Sequence, residues 1–400
     1  MQLRSRARLL RTGIAALAAI PLTVLGPAVA SDAASGSAHA TARSCATAVA
    51  GHASCQALVR TDMVAAQRVA PDATPSGFGP SSLQSAYNLP SATAGSGRTV
   101  AIVDAYDDPT AEADLGVYRA QFGLPACTTA NGCFKKIDQN GGTSYPSKDG
   151  GWAQEISLDI DMVSAICPNC HILLVEAKTS SFANLGAAVN RAAATAGVVA
   201  ISNSYGGSDA SDASYGSYYN HPGIAVTASS GDSGYGASYP ASSHYVTAVG
   251  GTSLSTASNS RGWSETAWSG AGSGCSAYNT ALSGAASFAT GCSKRAEADV
   301  SAVANPSTGV AVYDSTAYQG SSGWMVFGGT SVSSPIIASV YGLAGNTGSI
   351  DNNYPYAHAS SLNDVTSGSN GSCSTSQWCK ARTGWDGPTG LGTPNGIGAF

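Results

Sequence analysis

The stretch Phe327-Gly328-Gly329-Thr330-Ser331-Val332-Ser333-Ser334-Pro335 sets a serine after a flexible Gly-Gly-Thr, at the start of an apolar run, Pro335 to Leu343, that reads as a buried helix. A hydroxyl held at a helix start suits nucleophilic attack, because nearby backbone N–H groups and the helix dipole favour developing negative charge. Such a serine needs a base, and none of the six histidines lies in a motif that would supply one.

Carboxylates are the other candidates. In Trp152-Ala153-Gln154-Glu155-Ile156-Ser157-Leu158-Asp159-Ile160-Asp161-Met162, Glu155 and Asp159 are spaced to share a helix face, and Asp161 turns to roughly the opposite side at about 100° per residue. Like charges one turn apart repel. Ile156, Leu158, Ile160, Met162, Val163 and Ile166 make the segment mostly apolar, so its carboxylates are expected to be partly buried. Desolvation and repulsion then raise a pKa, and the pair holds one proton between them. Such a pair accepts a proton from a hydroxyl in mildly acidic solution. On spacing alone, a solvated acidic face reads equally well.

A third piece is Ser229-Ser230-Gly231-Asp232-Ser233-Gly234. Its Gly-Asp-Ser-Gly is similar to the nucleophile loop of chymotrypsin-like proteases, but Tyr235 stands where that motif has a further glycine and no Ala-Ala-His-Cys segment exists. A Gly-rich turn with a capping Asp is one reading. Another keeps Asp232 protonated in surroundings that hold its pKa high, so that it donates to an oxyanion.

The elements that must position these groups alternate. Strands are expected at Thr99 to Val103, His171 to Val175, Val198 to Ser202, Ile224 to Ala228, Tyr245 to Val249, Gly309 to Tyr313 and Trp324 to Phe327, and helices at Ala111 to Phe122, Trp152 to Ile166 and Leu185 to Thr195, before the serine helix. The alternation implies one α/β domain with a mainly parallel sheet, whose sites sit at the carboxyl ends of strands. Asp104, Ser204 and Asp232 each follow an expected strand and are placed to converge. The Ser/Gly-rich segments 206–217 and 253–290 read as surface loops.

Four arginines, an apolar stretch from Ile14 to Leu25 and Ala28-Val29-Ala30 read as a secretory signal over residues 1–30. Its removal takes the formal net charge from −5 to −9, since four basic and no acidic residues leave. A sparsely charged acidic surface argues against nucleic acid or an anionic membrane as partner and suits a secreted, extracellular protein. The ten cysteines fall into close pairs, Cys45/Cys55, Cys127/Cys133, Cys167/Cys170, Cys275/Cys292 and Cys373/Cys379, and an even count in a secreted chain reads as disulfides. Local pairing is the simplest connectivity, which sequence alone leaves open. Residues 31–75 are Ala- and Ser-rich and read as a short prosegment or loosely ordered extension ahead of a single catalytic domain, 76–400.

Gly-Thr-Ser-Val-Ser-Ser-Pro before a helix invites comparison with subtilisin-like proteases, but the helix position where their histidine base belongs carries Glu155. The ordered set Glu155-x-x-x-Asp159, Ser230-Gly231-Asp232-Ser233-Gly234 and Gly329-Thr330-Ser331-x-x-x-Pro335 resembles the sedolisins, the serine-carboxyl peptidases. Ser202-Asn203-Ser204-Tyr205-Gly206, Val246 to Thr252 and Thr389 to Pro394 extend the resemblance from about Gly77 to the C-terminus. It implies a subtilisin-like three-layer sandwich. It also implies an acyl-forming Ser331, Glu155 as general base and then acid, Asp159 orienting Glu155, and Asp232 in the oxyanion hole beside the Ser331 N–H. Asp104 matches a position where the family often extends the carboxyl network; a turn or capping role is the other reading. A calcium ion is implied at Asp364, the carbonyls of Val365, Arg382 and Gly384, and Asp386, with Arg382 standing where the family has glycine. Two further departures are the short stretch ahead of the domain and Tyr205 in place of a frequent tryptophan. The expectation is a secreted, monomeric endopeptidase acting on polypeptides at acidic pH. The alternatives are an exopeptidase of the same family, a non-catalytic secreted binding or surface protein on the same fold, and an alkaline subtilisin.

Overall fold

In a computed structural model, residues 39–63, 75–346 and 351–400 are described. The expected signal segment lies outside them, as do residues 31–38 and 64–74 of the expected extension. Among the described residues no helix is long and apolar enough to cross a membrane.

The parallel sheet is centred on Thr99–Ala105. His171–Ala177 and then Phe134–Asp138 lie on one side; Val198–Asn203, Ala225–Ser229 and Thr247–Thr256 follow on the other, all parallel. Trp263–Ala267 pairs antiparallel with Thr247–Thr256, and Val300–Val303 pairs parallel with it. Successive strand residues point to opposite faces. Val100, Ile102 and Leu174 therefore pack with Ile156, Ile160, Ile336 and Val340 on one face, while Ala101, Val103, Leu173 and Val175 pack with Leu185 and Val189 on the other. Helices on both faces produce three layers and explain the nearly unbroken apolar strands.

The expected strands around Gly309 to Tyr313 and Trp324 to Phe327 belong elsewhere. Val310–Tyr318 and Ser321–Gly328 form an antiparallel hairpin in a separate four-stranded sheet with Leu58–Arg60 and Thr41–Arg43. The link is two residues, Gln319 and Gly320, both at positive φ (47° and 77°), a turn whose twist suits a hairpin and excludes a parallel crossover. The strands Phe134–Asp138 and Trp263–Ala267, the second inside an expected loop, carry few consecutive apolar residues because each closes an edge of the sheet.

All five cysteine pairs are disulfides with local connectivity, Cys167–Cys170 included. Residues 39–63 are laced to the domain that follows. Ser54–Cys55 pairs with Tyr205–Gly206, and Leu58–Arg60 pairs with both Phe327–Gly328 and Thr41–Arg43.

Candidate active site

Two buried helices on the same face of the sheet carry the candidate residues Glu155, Asp159 and Ser331. Gly150–Ile166 begins at Asp149, whose carboxylate accepts the N–H groups of Gly151 and Trp152 at 3.0 Å each. From Gly151 onward every residue of this mostly apolar helix is buried, its polar side chains included. Its carboxylates are therefore taken out of water along with the leucines and isoleucines. Thr330–Ala344 starts just after Gly329, held at φ 99°, and places Ser331 in its first turn. Pro335 lies inside this helix and has no N–H to give the Ser331 carbonyl one turn back. That carbonyl is met instead by the Ser204 hydroxyl, at 3.4 Å.

Ser331, Glu155, Asp159 and Asp104 are fully buried. The Ser331 hydroxyl donates to the Ser204 carbonyl at 3.2 Å, and the Ser204 hydroxyl donates to Asp159 Oδ1 at 2.8 Å. Neither Glu155 oxygen, neither Asp104 oxygen, nor Asp159 Oδ2 has a hydrogen-bond partner. Burial drives Glu155 well above the ordinary carboxylate range, and the charges of Asp159 and Asp104 add to it; the Ser331 hydroxyl, close enough to act on its charge, pulls the other way. Asp159 is raised by burial and then by Asp104, and Asp104 itself is pushed up by burial to about 8. None of the three takes part in an ion pair among the described residues. Three carboxyls without a cation share protons and titrate as one unit.

Asp232 sits across from them. Its Oδ1 accepts the Thr330 N–H at 2.7 Å and the Thr330 hydroxyl at 2.9 Å. Its Oδ2 is buried and unpartnered. Burial pushes Asp232 up to about 7, against the lowering effect of the Thr330 hydrogen bonds and the Arg43 charge. A carboxyl with one oxygen saturated and the other empty is arranged to present an O–H from the empty side. That oxygen faces a specific place. A Cβ on Gly329 would lie 2.6 Å from Asp232 Oδ2 and 2.0 Å from the Gln56 carbonyl oxygen, which accepts the Ser331 N–H at 3.2 Å. A carbonyl oxygen, a backbone N–H at a helix start and a carboxyl oxygen thus meet in one small space, left open by a glycine.

The structure brings together Ser331, Glu155, Asp159, Asp232, Asp104 and Ser204. Asp161 points away, accepting the Tyr313 N–H at 3.0 Å. The histidines with hydrogen bonds at His52, His221, His244 and His358 engage backbone carbonyls. Sequence reasoning gave no role to Gln56 or to the Thr330 side chain. Thr330 was visible inside the Gly-Thr-Ser motif; Gln56 carries no sequence signal at all.

At the expected calcium position, Asp364 Oδ2 accepts the Gly384 N–H at 2.8 Å and Asp386 Oδ2 accepts the Arg382 N–H at 3.0 Å. Burial pushes Asp386 up to about 7, and Asp364 is close enough to add to that. The Arg382 guanidinium turns to Gln377 Oε1 at 2.6 Å rather than toward the carboxylates. Among the described residues no group of three or more His, Cys, Asp or Glu is placed to hold a metal. The groups gathered here are oxygen donors, the kind a hard cation takes, and both Asp386 oxygens are occupied by protein donors, Oδ1 accepting the Thr389 N–H at 3.0 Å and the Thr389 hydroxyl at 2.8 Å.

No protein-family model matches the chain. Kumamolisin of Bacillus sp. (strain MN-32) is 29% identical over 368 residues, covering 81% of this chain and 63% of kumamolisin. Sedolisin of Pseudomonas sp. (strain 101) is 33% identical over 177 residues, 40% of this chain and 29% of sedolisin. The chain thus spans less than two thirds of the length of these relatives. Among solved structures, Pseudomonas sedolisin (serine-carboxyl proteinase), complexed with two molecules of pseudo-iodotyrostatin, superposes with a TM-score of 0.66 at 26% identity, over 81% of this chain and 96% of that one. The fold is accordingly the subtilisin-like α/β sandwich that the sequence resemblance implied. In sequence and in fold the chain is similar to the sedolisin family.

Proposed function

We propose that this chain is a secreted serine-carboxyl endopeptidase that hydrolyses polypeptides at acidic pH through an acyl-enzyme. The observation that carries the reading is the empty, buried Asp232 Oδ2 facing the same small space as the Ser331 N–H, opposite a cation-free carboxyl cluster. Ser331 Oγ attacks the scissile carbonyl carbon while Glu155 takes its proton. The tetrahedral oxyanion accepts from the Ser331 N–H and from protonated Asp232. Glu155-H then protonates the leaving amine as the C–N bond breaks, leaving the acyl group on Ser331. Water, deprotonated by Glu155, attacks that ester and releases the acid and the free serine. Asp159, held by Ser204, keeps Glu155 oriented and shares its proton, and Asp104 raises both. The loss of activity on the alkaline side follows from the sign of the shifts: every carboxyl involved is raised, so rising pH ionises the oxyanion donor and accumulates buried negative charge.

Endopeptidase action is supported by the cleft itself. Chain lies along Tyr205–Gly206 on one side of Ser331 and along Phe327–Gly328 on the other, so a polypeptide fits on both sides of the serine. Calcium would be held by Asp364, Asp386 and the carbonyls of Val365, Arg382 and Gly384, and would stiffen their loop; a chelator should then lower the Tm in wild type and leave a Asp364→Ala variant unmoved. The deciding test of function is hydrolysis of denatured protein at pH 4 against pH 8. Activity confined to pH 4 and abolished in a folded Ser331→Ala variant is expected. A maximum at or above neutral pH, or activity surviving Ser331→Ala, refutes the mechanism.

A further inference from the structure

We infer that residues 39–63 form a built-in, disulfide-clamped inhibitor of the active site, and that Gln56–Ala57 is the peptide bond this chain cuts first in itself. The inference rests on the peptidase reading above and adds to it a processing site and a form of self-inhibition.

The segment crosses the catalytic serine as an extended chain, hydrogen-bonded on both sides of it. Before the bond, Ser54 and Cys55 pair antiparallel with Gly206 and Tyr205, and the Gln56 N–H donates to the Ser204 carbonyl at 3.1 Å. At the bond, the Gln56 carbonyl oxygen accepts the Ser331 N–H and shares the space left by Gly329 with the empty oxygen of Asp232. Beyond it, Leu58 and Val59 pair antiparallel with Gly328 and Phe327. The Gln56 carbonyl is the one that takes the Ser331 N–H, so the register singles out one bond. The Gln56 side chain helps line a cleft of ≈ 530 Å³ walled by Gly206, Gly207, Ser230, Ser238 and Gly272. A Cβ on Gly206 would come within 3.1 Å of Gln56 Nε2, so a side chain of this length occupies the cleft beside the serine.

The same segment is built to stay. Thr41–Arg43 pairs with Leu58–Arg60, so the strands before and after the bond belong to one ribbon. Cys45–Cys55 closes the loop between them directly next to Gln56. The Ala57 carbonyl accepts the Ser44 N–H at 3.1 Å, the Ser54 hydroxyl donates to the Ala46 carbonyl at 2.6 Å, and the Arg43 guanidinium reaches Ser233 Oγ at 3.0 Å, next to Asp232. If Ser331 Oγ attacks the Gln56 carbonyl and Glu155 protonates the Ala57 nitrogen, the new amine remains pinned by Ser44 and by its two neighbouring strands. A leaving group held at such effective concentration returns to the acyl-enzyme faster than it departs. Water completes the cut slowly, leaving a Gln56 carboxylate and an Ala57 amine. No disulfide crosses the bond, so the two pieces are then held by non-covalent contacts, the ribbon and the pairing with Tyr205–Gly206 among them.

The test incubates the full chain at pH 4 and follows intact mass, N-terminal sequence and peptide hydrolysis together. A new terminus at Ala57 is expected, with both pieces co-eluting on gel filtration, separating in denaturant, and absent in Ser331→Ala. The double variant Cys45→Ser, Cys55→Ser should hydrolyse added peptide roughly tenfold faster at early times, because a tethered blocker acts at millimolar effective concentration only while its geometry is held. Peptide hydrolysis without any Ala57 terminus overturns this inference and leaves the peptidase reading standing. No hydrolysis of chain or peptide overturns the peptidase reading itself. A folded double variant with an unchanged early rate removes the inhibitory role, and if that variant fails to fold, the terminus formed by the wild-type chain decides.

Discussion

Replacing Asp232 separates the proposed oxyanion geometry from a structural role for this residue. Oδ1 is saturated by two donors from Thr330, at 2.7 and 2.9 Å, and only Oδ2 is free to face the reacting carbonyl. Asp232→Ala removes the O–H that meets the oxyanion. Loss of one such donor costs about 10²–10³ in kcat, or about 2.7–4 kcal/mol. Asp232→Asn keeps the shape. Its carbonyl oxygen takes the two Thr330 bonds, which forces the amide N–H toward the open side, where it still donates. Its kcat should fall by only roughly tenfold or less. The pH profile is the sharper readout. In wild type, Asp232 loses its proton near its raised pKa of about 7, replacing a donor with a charge beside the developing oxyanion. An amide does not ionise, so in Asp232→Asn the alkaline limb of kcat/KM should move upward, to the value set by the carboxyl cluster in which Asp104 lies at about 8. The assay is kcat/KM against pH from 3 to 8 on a soluble peptide, for the three proteins, with circular dichroism confirming the fold. A limb unchanged in Asp232→Asn, or a loss below roughly tenfold in a folded Asp232→Ala, refutes the donor role.

Stability should fall as pH rises. Asp104, Asp232 and Asp314 are raised by burial to about 8, 7 and 8, so the folded state holds protons that the unfolded chain has released. Their contribution is complete below the ordinary carboxylate pKa near 4 and is lost up to pH 8, at about 1.4 kcal/mol per pH unit per independent group. The Tm of Ser331→Ala, immune to self-digestion, should drop steadily between pH 4 and 8; a rising Tm contradicts the sign. Gly329→Ala should abolish turnover. The added methyl would meet the Gln56 carbonyl oxygen at 2.0 Å and Asp232 Oδ2 at 2.6 Å, at a backbone φ of 99° that a side chain rarely adopts. A folded Gly329→Ala with wild-type kcat would show that the oxyanion sits elsewhere.

The sequence by itself determined the list of chemical groups and the frame that carries them. Short β-branched runs gave the five inner strands from Thr99 to Val249 because strands buried on both faces must be apolar throughout. The Glu155–Asp159 spacing placed two carboxylates on one helix face, and the apolar residues around them announced their burial, since helical periodicity and hydrophobicity are local properties. Gly329 and Pro335 bracketed the serine for the same reason. Only the tertiary structure decided what these groups face. Asp104 joins the cluster because parallel pairing brings its strand's carboxyl end under the helix. Ser204 fixes Asp159 across a large sequence distance, 2.8 Å apart in space. The free oxygen of Asp232 is identified by what Thr330 occupies. The hairpin of Val310–Tyr318 and Ser321–Gly328 left the expected parallel sheet because a two-residue turn dictates its partner. Least legible was Gln56. A backbone carbonyl reaching a distant N–H depends on no side chain, so residues that read as a loose extension lie across the serine they precede.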